Sequence, residues 1–290
     1  MKEKMTTRFR AMLKEPGVIV MPGVYDGLSA KTAEKVGFNI VTSSGGSICA
    51  SLGLPDLGIV SLGEMRDRIA QITRAISIPV FVDADTGYGV PINVYRTVKE
   101  FIWAGAAGLF IEDQQWPKRC GHLAGKQLIS REELTAKVRA ALDARNEEDP
   151  DFVLCIRTDA VGSEGFEEAI QRAKICSDLG VDLFLIEPYE TMNQMKRAVK
   201  EVDIALLLAL VEGGKTPLIS VKEAEEMGFK IVAFPGTAMF ACAKAVKDVF
   251  RLMKQTGSAQ SYLDKVERLL DFFDDYTDLP EGLELERRYR

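Results

Sequence analysis

The chain reads as an α/β protein that closes into a (β/α)8 TIM barrel, and three observations lead there. First, eight short apolar runs bounded by Gly, Pro or Asp alternate with longer segments of helical three-and-four spacing. The runs are 18–22, 38–43, 79–85, 108–113, 152–159, 182–188, 204–212 and 230–235. Second, these runs lack in-out alternation, as strands of a parallel sheet buried on both faces do. Third, polar and charged residues collect at their C-terminal ends, where a barrel of this kind places its chemistry.

Taken in order, the run ends carry Ser44 with Gly45 and Gly46, Asp83 and Asp85, Glu112 and Asp113, Arg157 and Asp159, Glu187, Glu212 and Pro235. So many carboxylates around one mouth repel one another unless a cation sits among them. The intervening helix candidates, such as "DGLSAKTAEKVG" and "FEEAIQRAKICSDLG", close on a glycine, a favoured helix end. After the eighth run come a long helix, "GTAMFACAKAVKDVFRLMKQTG", then an amphipathic one, "SYLDKVERLLDFFDDY", then a charged tail. The second of these has no strand to cover and is expected to pack on another subunit. Residues 1–290 are read as a single barrel domain, with 258–290 as its C-terminal extension.

Composition narrows the function. The 290 residues are 47% hydrophobic, enough for a well-formed core, with 43 Asp and Glu against 37 Lys and Arg. No basic stripe is interleaved with aromatics, which argues against nucleic acid or an anionic membrane as partner. No segment approaches the roughly 18 uninterrupted apolar residues of a membrane span, and the N-terminus has no signal-peptide core. A globular, enzyme-sized cytoplasmic protein is the expectation. Five scattered cysteines without a CxxC pair point away from a disulfide frame or thiolate zinc site.

Four features carry the chemistry. Asp83 and Asp85 stand two apart on one predicted strand, so both side chains face the same way, as hard oxygen ligands for Mg²⁺ do. "SSGGS" (43–47) offers small residues whose backbone N–H groups can meet a carboxylate. Arg157 ends an otherwise apolar strand and suits a carboxylate partner, on the substrate or in the acidic ring. The stretch "QQWPKRCGHLAGK" (114–126) is a loop broken by Pro117 and Gly121. In it Cys120 lies beside Lys118, Arg119 and His122, cations expected to lower its pKa.

In that order "SLGLPDLG", "VDADTGYG", "GLFIEDQ", "PKRCGH", "IRTDA" and "EGGKTP" resemble motifs of the isocitrate lyase and phosphoenolpyruvate mutase superfamily, over roughly residues 15–255. The nearest likeness is to its short members, the methylisocitrate lyases, 2,3-dimethylmalate lyases and oxaloacetate hydrolases. The resemblance implies a Mg²⁺-dependent oxo-acid lyase, with Mn²⁺ as the alternative metal. It also implies a homotetramer whose eighth helix is swapped between subunits. Asp83, Asp85 and Asp56 would hold the metal, with Glu112 nearby. Ser44, Gly45 and Gly46 would take the carboxylate of the 2-oxo acid half. Arg157, His122 and Glu187 would line the rest, Arg119 and Gly121 would bind substrate from the loop, and Cys120 would protonate the departing carbanion.

Three departures bear on the substrate. Methylisocitrate lyases usually have Asn where this chain has Ala209 and Arg where it has Ala241. Losing that Arg removes a charge-assisted partner of roughly 2 kcal/mol for a third carboxylate. A Tyr usual before the glycine turn is replaced by Thr42, which leaves the base open. The expected reaction is cleavage of a 2,3-dimethylmalate-like substrate to pyruvate and a short carboxylate. The alternatives are methylisocitrate cleavage, oxaloacetate hydrolysis, a phosphonate-acting phosphorylmutase, against which Cys120 counts, and a barrel that only binds a 2-oxo acid.

Overall fold

The computed structural model describes residues 3–290. Eight parallel strands, β1 (Ile19–Val24), β2 (Val41–Ser43), β3 (Val80–Asp83), β4 (Gly108–Glu112), β5 (Val153–Thr158), β6 (Leu183–Ile186), β7 (Ala205–Ala209) and β8 (Ile231–Phe234), form a closed barrel in sequence order. β8 returns to β1 in register from Ile19 opposite Ile231 to Pro22 opposite Phe234. Every strand lies within or close to its apolar run.

The lack of alternation has the expected cause. Ile19, Met21, Phe81, Phe110, Cys155, Leu183, Leu185 and Leu207 share one buried cluster. Their strand neighbours Val82, Leu109, Ile111, Ile156 and Phe184 pack in a second with the helix faces. Both faces of the sheet are therefore dry. An N-terminal helix, α1 (Met5–Lys14), adds Phe9 to the first cluster, its ring 5.7 Å from that of Phe81. Burying that ring contributes roughly 1.5–3 kcal/mol.

The helices after the strands start and stop on local chemistry. They are α2 (Gly27–Val36), α3 (Gly45–Ser51), α4 (Leu62–Ala75), α5 (Pro91–Trp103), α6 (Arg131–Glu148), α7 (Phe166–Leu179), α8 (Met192–Glu201) and α9 (Val221–Met227). Asp26, Ser61, Ser130, Thr191 and Ser220 cap N-termini through their side-chain oxygens. Gly37 and Gly180 end α2 and α7 at φ of 102° and 85°, a conformation costly for residues with a Cβ.

Residues through Ala238 cluster as one compact unit and Met239–Arg290 as another. The second unit contains most of α10 (Thr237–Thr256), then α11 (Leu269–Tyr276) and α12 (Leu279–Tyr289). Two expectations are corrected there. The helix expected over "SYLDKVERLLDFFDDY" is split: Gln260–Lys265 is a 3-10 turn, and Val266 and Arg268 are extended before α11 begins. The expected charged tail is helical, with Pro280 and Glu281 in the first turn of α12 and Arg287 and Arg288 in its last. That charge order suits the helix dipole. The unit leaves Phe240, Val246, Phe250, Met253, Leu269 and Leu270 exposed. Among the described residues no helix is long and apolar enough to cross a membrane.

Candidate active site

The mouth of the barrel is acidic, and its carboxylates are held in place before any ligand arrives. Asp83 closes β3. Its Oδ2 accepts from the Gly45 N–H at 2.9 Å and its Oδ1 from the Asp85 N–H at 3.1 Å. A Cβ at Gly45 would lie 2.7 Å from Asp83 Oδ2, so a glycine permits this approach. Gly45 and Gly46 thus form the first turn of α3, capped by the Ser44 hydroxyl, which accepts from Ser47 N–H at 3.3 Å. The expected free loop of N–H groups is a helix start whose Gly45 donor is already engaged.

Asp85 corrects the strand argument. β3 ends at Asp83, and Asp85 sits beyond it at φ 47°, in the left-handed region. The two carboxylates meet through a tight turn and not through strand parity. Glu112 follows from β4, is 1% exposed, and has no hydrogen-bond partner on either oxygen. Glu212 lies outside the ring: it is exposed past the end of β7 and accepts from the Thr237 hydroxyl.

Two buried cations answer these charges. Arg157, at the end of β5, forks onto Asp159 through Nε at 3.1 Å and Nη2 at 3.0 Å. Its Nη1 stands 3.4 Å from both Glu112 and Glu187. Lys118, from the loop after β4, places Nζ 2.5 Å from Asp56 Oδ1 and 2.7 Å from Asp85 Oδ1, with its side chain 2% exposed. Burial alone would favour the neutral amine, but Glu112, Asp85, Asp83 and Asp56 hold it charged.

The same fields set the acids. Burial pushes Asp83 up to about 6, with Lys118 opposing and Asp85 adding to the push. Burial likewise raises Glu112, against Lys118 and Arg157. Glu187 goes the other way: burial would raise it, but Arg157, His122 and Lys126 together hold it down at about 2.

The loop after β4 is a lid lying over this mouth. Its stems are pinned by a bridge between Gln114 and Leu128 and by Ile129 N–H donating to the Asp113 carbonyl at 3.0 Å. Beneath it, buried Asp113 pairs with Arg172 at 3.1 Å and accepts from Thr158 and from the Asp159 N–H. The Trp116 ring packs over Gly58 and beside Tyr88, whose hydroxyl is buried without a partner. His122 accepts at Nδ1 from the Lys215 N–H at 3.3 Å, which leaves Nε2 to carry the proton 3.3 Å from Glu187.

Cys120 is half-buried on the lid, and its expected activation by neighbouring cations is corrected. Lys118 is turned into the acid cluster, and the exposed Arg119 donates to the Ala124 carbonyl at 3.0 Å. Burial therefore pushes the Cys120 thiol up, the His122 N–H offsetting part of the rise. A thiol that keeps its proton is an acid and not a thiolate nucleophile. The Arg119 guanidinium donates from Nη1 to the lid's own backbone and is otherwise exposed. Gly121 is close to the site: a Cβ there would meet Arg157 Nη2 at 2.3 Å.

The structure thus brings together Asp56, Asp83, Asp85, Glu112, Arg157, Glu187, His122 and Gly121, with Gly45 beside Asp83 and Cys120 over them. It joins to them Asp159, also at a strand end, and adds Lys118, Lys126 and Gln114, whose roles depend on how the lid folds back. Asp56, Asp83, Asp85 and Glu112 are hard oxygen donors, both Glu112 oxygens lacking a hydrogen-bond partner, and their chemistry fits a hard divalent cation. As they stand, Lys118 lies between Asp56 and Asp85. Among the described residues no three His, Cys, Asp or Glu side chains form a ready metal cage.

The site is thus an acidic, Arg-bearing mouth of a closed parallel barrel, under a cysteine-bearing lid. The sequence family described as phosphoenolpyruvate phosphomutase matches residues 9–254. The chain is 42% identical over 265 residues to a 2-methylisocitrate lyase of Aeropyrum pernix, covering 91% of this chain and 85% of that one. Its structure is similar to that of a 2,3-dimethylmalate lyase, with a TM-score of 0.93 and 37% identity over 99% of this chain and 96% of the other. A phosphonopyruvate hydrolase solved with oxalate and Mg²⁺ aligns at a TM-score of 0.88 and 27% identity, over 99% of this chain and 100% of the other. The chain belongs to the phosphoenolpyruvate mutase and isocitrate lyase superfamily, and it is an enzyme of the carbon–carbon lyase type.

Proposed function

We propose that this enzyme cleaves the C2–C3 bond of a 2,3-dimethylmalate-like substrate to pyruvate and a short carboxylate, with Mg²⁺ as cofactor. The observation that carries the choice of substrate is the small, uncharged side of the mouth. Ala209 ends β7 paired with Ala233 of β8, both buried, and the chain carries Ala241 where methylisocitrate lyases usually have Arg. Charge is concentrated on the β3 to β6 side, where Arg157 already faces Glu112, Asp159 and Glu187. Small apolar side chains at these strand ends suit an alkyl group, whereas a third carboxylate would be desolvated there without a cationic partner.

Asp56, Asp83, Asp85 and Glu112 would hold Mg²⁺, directly or through water, and the bound metal would act as a Lewis acid toward the substrate hydroxyl and carboxylate. Arg157 orients the carboxylate of the leaving half, and the closed lid excludes water. As the C2–C3 bond breaks, its electron pair passes to C3, the hydroxyl proton passes to a carboxylate of the acidic mouth and C2 becomes the ketone. The Cys120 thiol then gives its proton to C3.

The ranking of kcat/KM over alkylmalates, methylisocitrate and oxaloacetate tests this reading. Alkylmalates are expected to lead, and methylisocitrate in first place would overturn the argument from Ala209 and Ala241. Metal binding should also follow Asp83, which must be ionised to act as a ligand. Since its carboxyl lies at about 6, Mg²⁺ affinity is expected to be full above that pH. Below it, affinity should fall by about tenfold per pH unit. Titration calorimetry at pH 7.5 and 5 reads this directly, and equal affinities would contradict it.

We further propose that the exposed apolar side chains of α10 are covered by a second copy in a homotetramer with exchanged eighth helices. A monomer in light scattering would exclude it.

A further inference from the structure

We propose that Lys126 is a positioning residue that latches the lid to the barrel and so sets Cys120 over the mouth, an assignment that rests on Cys120 being the acid. Lysine is seldom buried, because desolvating its ammonium and freezing its long side chain both cost free energy. Yet the Lys126 side chain is 4% exposed, on a loop whose residues Leu123, Ala124 and Gly125 are exposed. Its Nζ stands 2.7 Å from Asp159 Oδ1 and also donates to the Gly121 carbonyl, one residue past Cys120.

Asp159 is the junction. It is fully buried, and both of its oxygens are shared. Oδ1 accepts from Lys126 and from Arg157 Nη2, while Oδ2 accepts from Arg157 Nε and from Gln114 Nε2 at 3.1 Å. Gln114 in turn clamps Arg119 from both sides, donating to its carbonyl at 2.8 Å and accepting from its N–H at 2.9 Å. One carboxylate therefore ties the substrate-facing arginine, the lid stem and the far arm of the lid. Gly121 rests directly on that arginine.

The lid has two other anchors onto carboxylates, Lys118 on Asp56 and Asp85, and His122 on Glu187. Both end on carboxylates that a metal or substrate would engage. The Lys126 to Asp159 contact ends on a carboxylate outside that set, so it can hold the lid whatever occupies the mouth. Removing it leaves Asp159 forked by Arg157 and Glu187 still paired with Arg157, so the loss falls first on lid position.

The test uses the full chain carrying Cys242→Ser, in which Cys120 is the one cysteine that is not buried. Alkylation of Cys120 by iodoacetamide, followed by mass spectrometry without metal or substrate, reads lid opening. Lys126→Met is expected to raise the alkylation rate at least about fivefold and to lower kcat about tenfold or more, with KM changed less than about threefold, because misplacing a reacting group costs turnover more than binding. Lys126→Arg should keep both values within about twofold of the parent, since it retains a cationic donor. Parental alkylation in Lys126→Met, or equal acceleration in both variants, overturns the latch. Alkylation is read without substrate, so a wrong substrate assignment would appear separately, as absent turnover in the parent.

Discussion

Replacing Cys120 by serine is expected to lower kcat about 10²- to 10⁴-fold, the range supplied by a positioned general acid. Binding of pyruvate and the melting temperature should stay near those of the parent. The expectation of a clean catalytic loss follows from the place of the residue. Cys120 is half-buried on a loop, its immediate cationic neighbours are engaged elsewhere, and burial keeps the thiol protonated. A serine hydroxyl fills nearly the same space but is a far weaker acid. The pH profile carries a second signature. An acid works while it holds its proton, so a raised thiol pKa should preserve activity beyond the ordinary thiol range, about pH 8.5. A profile that collapses below that range, or a Cys120→Ser protein with parental kcat, would remove the thiol from the reaction.

The second large effect is expected at Arg157. Arg157→Met keeps length and apolar stem but leaves Glu112, Asp159 and Glu187 facing one another in a buried site. Uncompensated charge of this kind costs roughly 3–5 kcal/mol of stability. The substrate also loses the Nη1 donor, roughly a 10- to 10²-fold fall in kcat/KM for one charge-assisted bond. Arg157→Lys should recover part of the stability and little of the activity, because an ammonium cannot make the fork.

The stability loss has a definite pH dependence. In the parent, Glu187 is held at about 2, below its ordinary unfolded value of about 4.3. Its contribution is present above the unfolded value and is lost as pH falls toward 2. Without Arg157 burial dominates and the carboxyl rises, so the variant gains relative stability as the pH is lowered. The gap between the two proteins should be widest near pH 7 and narrow below about pH 4. Denaturant melts at pH 7 and 4 check this, and a constant gap would show that Glu187 is not tied to Arg157.

Much of this site was legible in the sequence because it depends on strand order. Each strand in a parallel barrel must bury both faces, so its apolar run is unbroken and its end is marked by the first polar residue. Asp83, Glu112, Arg157 and Glu187 announce themselves in that way. What could not be read depends on a chain without periodicity. Lys118 stands two residues before Cys120, yet the lid folds back and buries its ammonium between Asp56 and Asp85. Sequence neighbours on an irregular loop are not spatial neighbours, and the inference about the thiol's pKa failed for that reason. Asp85 shows the same limit at a smaller scale, because alternation of side chains ceases with the strand. The last helix was missed because its few leucines make a weak periodic signal. Pro280 and the ordering of its charges were the available cues.

Pyruvate release from 2,3-dimethylmalate tests the central claim most directly, measured with added Mg²⁺ and again with excess chelator. The account predicts pyruvate in equal amount to the substrate consumed, release that stops on chelation and returns with Mg²⁺, and little release from Cys120→Ser. Failure to form pyruvate from this or any other alkylmalate, or release that persists under chelation, would contradict it.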